Sequence, residues 1–123
     1  MDAERSYELL ECAYRVHSKL GPGLLESTYE TCLVHELIKA GFHVQRQKKL
    51  PIEYDGVLLD AGYRVDLIID YEVIIEIKAV ENLHDIHVSQ LLTYMKLSGI
   101  KTGYLINFNV RSLKSGIKRY IVD

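Results

Sequence analysis

The sequence predicts an α/β fold in which helices flank one central mixed β-sheet. Three observations carry this. Helical periodicity fills roughly the N-terminal third, β-rich runs with turn signals follow it, and one further helical stretch precedes two late strands.

From about Glu4 to Leu20, the apolar positions Leu9, Ala13, Val16 and Leu20 recur at helical spacing, and Gly21-Pro22-Gly23 breaks the helix. A second helix begins near Leu24 and runs to Ala40, with Gly41 placed to cap it. Its Glu26, Tyr29, Leu33 and Leu37 step by three and four, so a carboxylate stands at the N-terminal end of an apolar stripe. Val44 to Tyr54 reads as a strand interrupted by Pro51, and Asp55-Gly56 as a tight hairpin turn. The return strand starts at Val57 to Leu59 and resumes, after a kink near Gly62, as Tyr63 to Ile69. Val73 to Val80 is the next strand. Asp85 to Leu97 is a third helix with Val88, Leu91, Leu92 and Met95 as its stripe, and Gly103 to Phe108 and Ile117 to Val122 close the chain as strands. The expected order is α-α-β-β-β-α-β-β, in a single domain over residues 1–123.

Composition narrows the class. With 48% hydrophobic and 26% charged residues, the 123-residue chain is neither a disordered tail nor a collagen-like repeat. No stretch approaches the ~20 apolar residues of a membrane span, and the Met1-Asp2-Ala3-Glu4-Arg5-Ser6 start has no signal-peptide character. Cys12 and Cys32 match no metal or redox spacing and read as buried free thiols in helices. A cytoplasmic protein without a membrane partner is the expectation. The formal charge of −2 is unevenly spread. Residues 1–85 hold nine basic and sixteen acidic side chains, whereas residues 86–123 hold Lys96, Lys101, Arg111, Lys114, Lys118 and Arg119 against Asp123 alone. Arg46-Gln47-Lys48-Lys49 forms a second basic cluster, and such residues on strand edges and loops suit phosphates.

The segment with chemical content runs from Arg64 to Lys78. If residues 70–72 form a three-residue loop, Ile69 pairs with Val73 and Asp66 falls opposite Glu76. Alternation then brings Asp66, Glu76 and Lys78 to one face, with Val65, Leu67, Ile69, Val73, Ile75 and Ile77 on the other. A cross-strand salt bridge at a solvated edge would explain such a group, but apolar runs flank these charges and lone buried charges are costly. Two facing carboxylates make a hard oxygen site suited to Mg²⁺ or Mn²⁺. Lys78 beside such an ion could orient a water or stabilise developing negative charge.

Asp66 followed by Glu76-Ile77-Lys78 resembles the PD-(D/E)xK nuclease superfamily, with Val65 where the name has proline. Gln90-Leu91-Leu92-Thr93-Tyr94 is similar to the Gln-x-x-x-Tyr element of RecB-type nucleases. Gly23-Leu24-Leu25-Glu26-Ser27-Thr28-Tyr29 resembles the signature of the GxxExxY family, a small branch of that superfamily, and Gly103 to Phe108 and Ile117-Lys118-Arg119 resemble its last strands. The resemblance implies a restriction-endonuclease-like fold and metal-dependent hydrolysis of phosphodiester bonds in DNA or RNA. Recognition in so short a chain would be structure-guided or nonspecific, with a homodimer as the expected assembly. It implies Asp66, Glu76, Glu26 and the Ile77 carbonyl as metal ligands, with Asp66, Glu76 and Lys78 catalytic. Gln90, Tyr94 and His87 would line the cleft, and Arg46, Lys48 and Lys49 would hold substrate phosphates. The alternative is a module that keeps the fold and binds nucleic acid or protein without turnover.

Some residues read as structural. Tyr29 on its apolar stripe suits core packing, Gln90 and Tyr94 suit a buried hydrogen-bonded pair, and the five histidines show no paired zinc pattern beyond a weak His84/His87.

Overall fold

The computed structural model describes residues 1–123, in the order α1 (Ala3–Leu20), α2 (Glu26–Lys39), β1 (Val44–Lys49), β2 (Ile52–Tyr54), β3 (Val57–Leu59), β4 (Arg64–Ile69), β5 (Val73–Lys78), α3 (Asp85–Ser98), β6 (Thr102–Asn107) and β7 (Ile117–Ile121). A short 3₁₀ turn, Leu113–Gly116, precedes β7. No helix is long and apolar enough to cross a membrane.

The main sheet has the order β1-β4-β5-β6-β7. Its neighbours are antiparallel except β5 and β6, which run parallel because α3 carries the chain back across the sheet. Helices α1 and α2 cover one face through Leu9, Val16, Leu33 and Leu37 against Leu67, Ile69, Ile75 and Ile106. Helix α3 covers the other through Leu91, Tyr94 and Met95 against Val65, Ile68, Ile74 and Leu105. The approach of α3 is close enough to require glycine on β6. A Cβ on Gly103 would stand 2.6 Å from Met95 Sδ and 2.9 Å from Leu91 Cδ1.

Each of the two predicted long strands, 44–54 and 57–69, is divided in two. Pro51 offers no N–H for a ladder, and the chain leaves the main sheet after Lys49. It forms a separate two-stranded arm, β2–β3, and rejoins the sheet at Arg64. The arm's turn is the predicted one. Asp55 and Gly56 both take positive φ, 52° and 75°, as a two-residue hairpin of this hand requires. The 70–72 loop is also as read, with Ile69 paired to Val73.

One expectation fails informatively. Strict alternation puts Val65 on the side of Leu67 and Ile69, but Val65 packs under α3 with Ile68 and Ile74. The alternation slips at Asp66. On the neighbouring strand Gln47 is left-handed at φ 51°, and β1 and β4 pair on either side of Gln47 and Asp66 but not between them.

Candidate functional site

The site forms where β4 and β5 part. Their ladder ends at Leu67 opposite Ile75, and beyond it two side chains take over the backbone donors. The N–H of Asp66 donates to Glu76 Oε2 at 2.7 Å, and the N–H of Ile77 donates to Asp66 Oδ2 at 2.8 Å. Asp66 and Glu76 therefore face each other as the sequence reading placed them, each fixed by the other's strand.

Glu76 is 2% exposed, and neither it nor Asp66 forms an ion pair. Burial pushes the Glu76 carboxyl up to about 8, the Asp66 charge adds to the rise, and the Asp66 N–H and Lys78 oppose it. The Asp66 carboxyl is raised as well, by burial first, against the Ile77 N–H. Two carboxyls so placed hold a proton readily, and the Lys78 ammonium nearby offsets their charge only in part. Lys78 Nζ is held by Gln90 Oε1 at 3.3 Å, and Gln90 Nε2 donates to Tyr94 Oη at 3.1 Å. The chain from Lys78 to Gln90 to Tyr94 orients the ammonium from α3. It makes the pair read as structural in the sequence a support for the site as well.

A cleft of about 520 Å³ opens beside Lys78, lined by His87, Gln90 and Tyr94 on one side and by Ile52 of the arm and Tyr63, just after it, on the other. His87 is tied to the start of its own helix, with Nδ1 accepting the His84 N–H at 3.0 Å. Burial and then the Lys78 charge lower its pKa. The weak His84/His87 pair is thus a helix cap.

Glu26 opens α2, and the Gly-x-x-Glu-x-x-Tyr spacing explains how it is held. Gly23 turns the chain at φ 99°. Tyr29, stacked on Phe108 at 4.7 Å between ring centroids, donates its hydroxyl to Gly21 O at 2.6 Å and accepts the Leu24 N–H at 3.1 Å. The tyrosine is core, as expected, and it also pins the loop that presents Glu26. The Glu26 carboxyl is raised by partial desolvation, lowered by Lys78, and raised again by Asp66 and Glu30. It shares the electrostatic field of the site, yet no three His, Cys, Asp or Glu side chains gather closely enough to hold a metal by themselves.

Of the basic cluster on β1, Arg46 is occupied differently from the reading that grouped it with the lysines. Its Nε donates to Glu30 Oε2 at 2.7 Å and its Nη2 to Thr31 Oγ1 at 2.8 Å. Glu30, 7% exposed, needs that cation. Lys48 and Lys49 are exposed and make no ion pair. The basic C-terminal third is also divided. Because Val73 pairs with Thr102 and Lys78 with Asn107, Lys101 lies at the end of the sheet remote from Lys78, whereas Arg111 and Lys114 follow the near end. Asn107 ties that end together, accepting the Val80 N–H at 3.1 Å and donating to Val80 O at 2.9 Å.

Two residues escaped the sequence reading. Gln47 Nε2 donates to Glu30 Oε1 at 2.7 Å and to Asp66 Oδ1 at 3.1 Å, joining α2 to the facing carboxylates. Glu30 was legible in one respect, being one helical turn beyond Glu26; Gln47 required knowledge of the β1–β4 register.

No curated protein and no solved structure matches the chain. A model of the PD-(D/E)XK nuclease superfamily matches residues 3–120. The mixed five-stranded sheet between helices is the restriction-endonuclease-like fold expected of such a protein. The facing Asp66 and Glu76, with Lys78 two residues on, stand in the order of the superfamily's motif, and the chain belongs to the PD-(D/E)XK nuclease superfamily.

Proposed function

We propose that this chain is a divalent-metal-dependent nuclease of the GxxExxY branch, hydrolysing phosphodiester bonds in DNA or RNA from a single domain. The observation that carries this reading is the buried Glu76 facing Asp66 with neither carboxyl in an ion pair and only the nearby Lys78 charge to offset them. The donor set suits Mg²⁺ or Mn²⁺, since such an ion is bound by one or two carboxylates and keeps water and substrate phosphate as its other ligands. Asp66 and Glu76 would hold it with the Ile77 carbonyl, and Glu26, not gathered with them as a third ligand, would add its charge to the site from the start of α2. When bound, the ion supplies positive charge at a phosphoryl oxygen and lowers the pKa of water.

The protein's own residues do the rest. As a water oxygen gives up a proton to solvent and bonds to phosphorus, the P–O ester bond breaks and the leaving oxygen takes a proton from solvent, while negative charge grows on the phosphoryl and leaving oxygens. Lys78, oriented by Gln90, meets that charge with an ammonium already in place. Gln47 and Glu30 keep Asp66 in register with α2, while Lys48 and Lys49 offer exposed charge for the flanking phosphates. The test is incubation of the purified protein with single-stranded, duplex and branched DNA and with RNA, in Mn²⁺, Mg²⁺ or EDTA. Cleavage in metal that is lost in Lys78→Ala supports the reading, whereas cleavage that persists in EDTA contradicts it.

A further inference from the structure

The β2–β3 arm pairs with no other strand, and a lone two-stranded ribbon is marginal by itself. What it builds is a wall. Its Ile52 and the following Tyr63 face Thr93 and Leu97 of α3 across the cleft, with Lys78 at the same opening. The walls keep apolar surface exposed, 45% for Tyr63 and 41% for Leu97, immediately beside the ammonium assigned above to the phosphate. Ser89 and Thr93 also line the cleft, and neither hydroxyl makes a hydrogen bond within the protein. Lys48 pairs with Val65, which packs under α3, so its exposed ammonium belongs to the cleft's side of the sheet.

This combination has a specific chemical complement. Apolar walls with an exposed aromatic ring fit a planar ring, free hydroxyls fit its polar edge, and two cations fit anions on either side. A base-paired duplex presents sugars and phosphates to such an opening and keeps its rings stacked inside. From these features we propose that the cleft receives an unpaired nucleobase stacked against Tyr63, adjacent to the phosphodiester that Lys78 addresses, so that the substrate is a single-stranded segment or an unpaired tip. The proposal rests on reading the site as one that handles phosphodiesters, and it adds the strandedness of the substrate to that reading.

The test uses short single strands of DNA and of RNA carrying 2-aminopurine at one position, and the matching duplexes, with metal chelated so that nothing is cleaved. Single strands are expected to bind about tenfold or more tighter than duplex, with 2-aminopurine fluorescence quenched on binding. Tyr63→Ala is expected to weaken single-strand binding by about tenfold and relieve the quench, while leaving duplex binding unchanged, and Tyr63→Phe to keep both. Thr93→Trp, which fills the cleft from the opposite wall, is expected to reproduce the loss without touching Tyr63. Equal affinity for duplex and single strand, or a quench indifferent to Tyr63→Ala and Thr93→Trp, overturns the proposal. Metal-dependent cleavage of duplex accompanied by that indifference removes this inference and leaves the nuclease reading standing. A Tyr63-dependent quench without cleavage in any metal does the reverse.

Discussion

Asp66 and Glu76 are bound to each other's strands through crossed contacts, Asp66 N–H to Glu76 Oε2 at 2.7 Å and Ile77 N–H to Asp66 Oδ2 at 2.8 Å. Two acids thereby replace the ladder where β4 and β5 separate. The arrangement stiffens both carboxylates and removes most of their water, and several measurable consequences follow from those two facts.

The first concerns pH. The Glu76 carboxyl sits at about 8 in the folded protein against 4.5 as its ordinary value. Between those values the folded protein keeps a proton that the unfolded chain has released. The associated stability is fully present below about pH 4.5 and is lost as pH rises towards 8. The raised Asp66 and Glu26 carboxyls act in the same direction. Thermal melts in EDTA should therefore show Tm falling across this window, and Glu76→Gln should melt higher at pH 8 with a flatter profile. Parallel profiles for the two proteins would show that Glu76 is not the group responsible.

Gln47 combines a left-handed backbone with two side-chain hydrogen bonds, and substitutions separate the two roles. Gln47→Gly relaxes the backbone, whereas Gln47→Ala keeps the strain of roughly 1 kcal/mol that φ > 0 imposes on a residue with a Cβ. Chemical denaturation should find the glycine variant the more stable of the two. Both should bind Mn²⁺ more weakly than wild type in calorimetry, because Asp66 loses its tie to α2. Wild-type affinity in both would leave Gln47 a purely structural residue.

Tyr29→Phe keeps the stacking on Phe108 and deletes only the hydroxyl that holds Gly21 and Leu24. A loss of about 1–2 kcal/mol in urea unfolding is expected for these two bonds. Cleavage should fall further than stability explains, since Glu26 is presented by that loop. Turnover unchanged in a correctly folded Tyr29→Phe would argue against a role for Glu26.

The sheet-to-helix contact is tested at Gly103. A methyl there meets Met95 and Leu91 at 2.6 and 2.9 Å, so Gly103→Ala should destabilise by about 1–3 kcal/mol through overpacking. Adding Met95→Ala, itself costly at a buried position, should bring the double variant's loss below the sum of the two single losses in the same unfolding assay. A fully additive double variant would show that α3 has moved off the sheet instead.

Much of this was legible in the sequence, for physical reasons that differ by element. The Asp55-Gly56 turn and the 70–72 loop fix registers locally, which is why the Asp66–Glu76 pairing could be counted out from Ile69 and Val73. The slip at Val65 could not, because it arises from β1, a strand brought in from twenty residues upstream, with Gln47 distorted opposite Asp66. The detour of the chain into the arm was marked by Pro51, yet where the arm would lie depended on α3. Arg46 looked like its neighbours Lys48 and Lys49 until packing set it against Glu30.

The central claim is that Asp66 and Glu76 hold a divalent ion while Lys78 serves the chemistry beside it, and one comparison tests it most directly. Mn²⁺ binding by calorimetry and cleavage of single-stranded DNA should be measured together for wild type, Glu76→Gln and Lys78→Met. The expected result is that wild type binds and cleaves, Glu76→Gln loses both, and Lys78→Met binds Mn²⁺ but cleaves at least about a hundredfold more slowly. Undiminished Mn²⁺ binding and cleavage in Glu76→Gln would contradict the account.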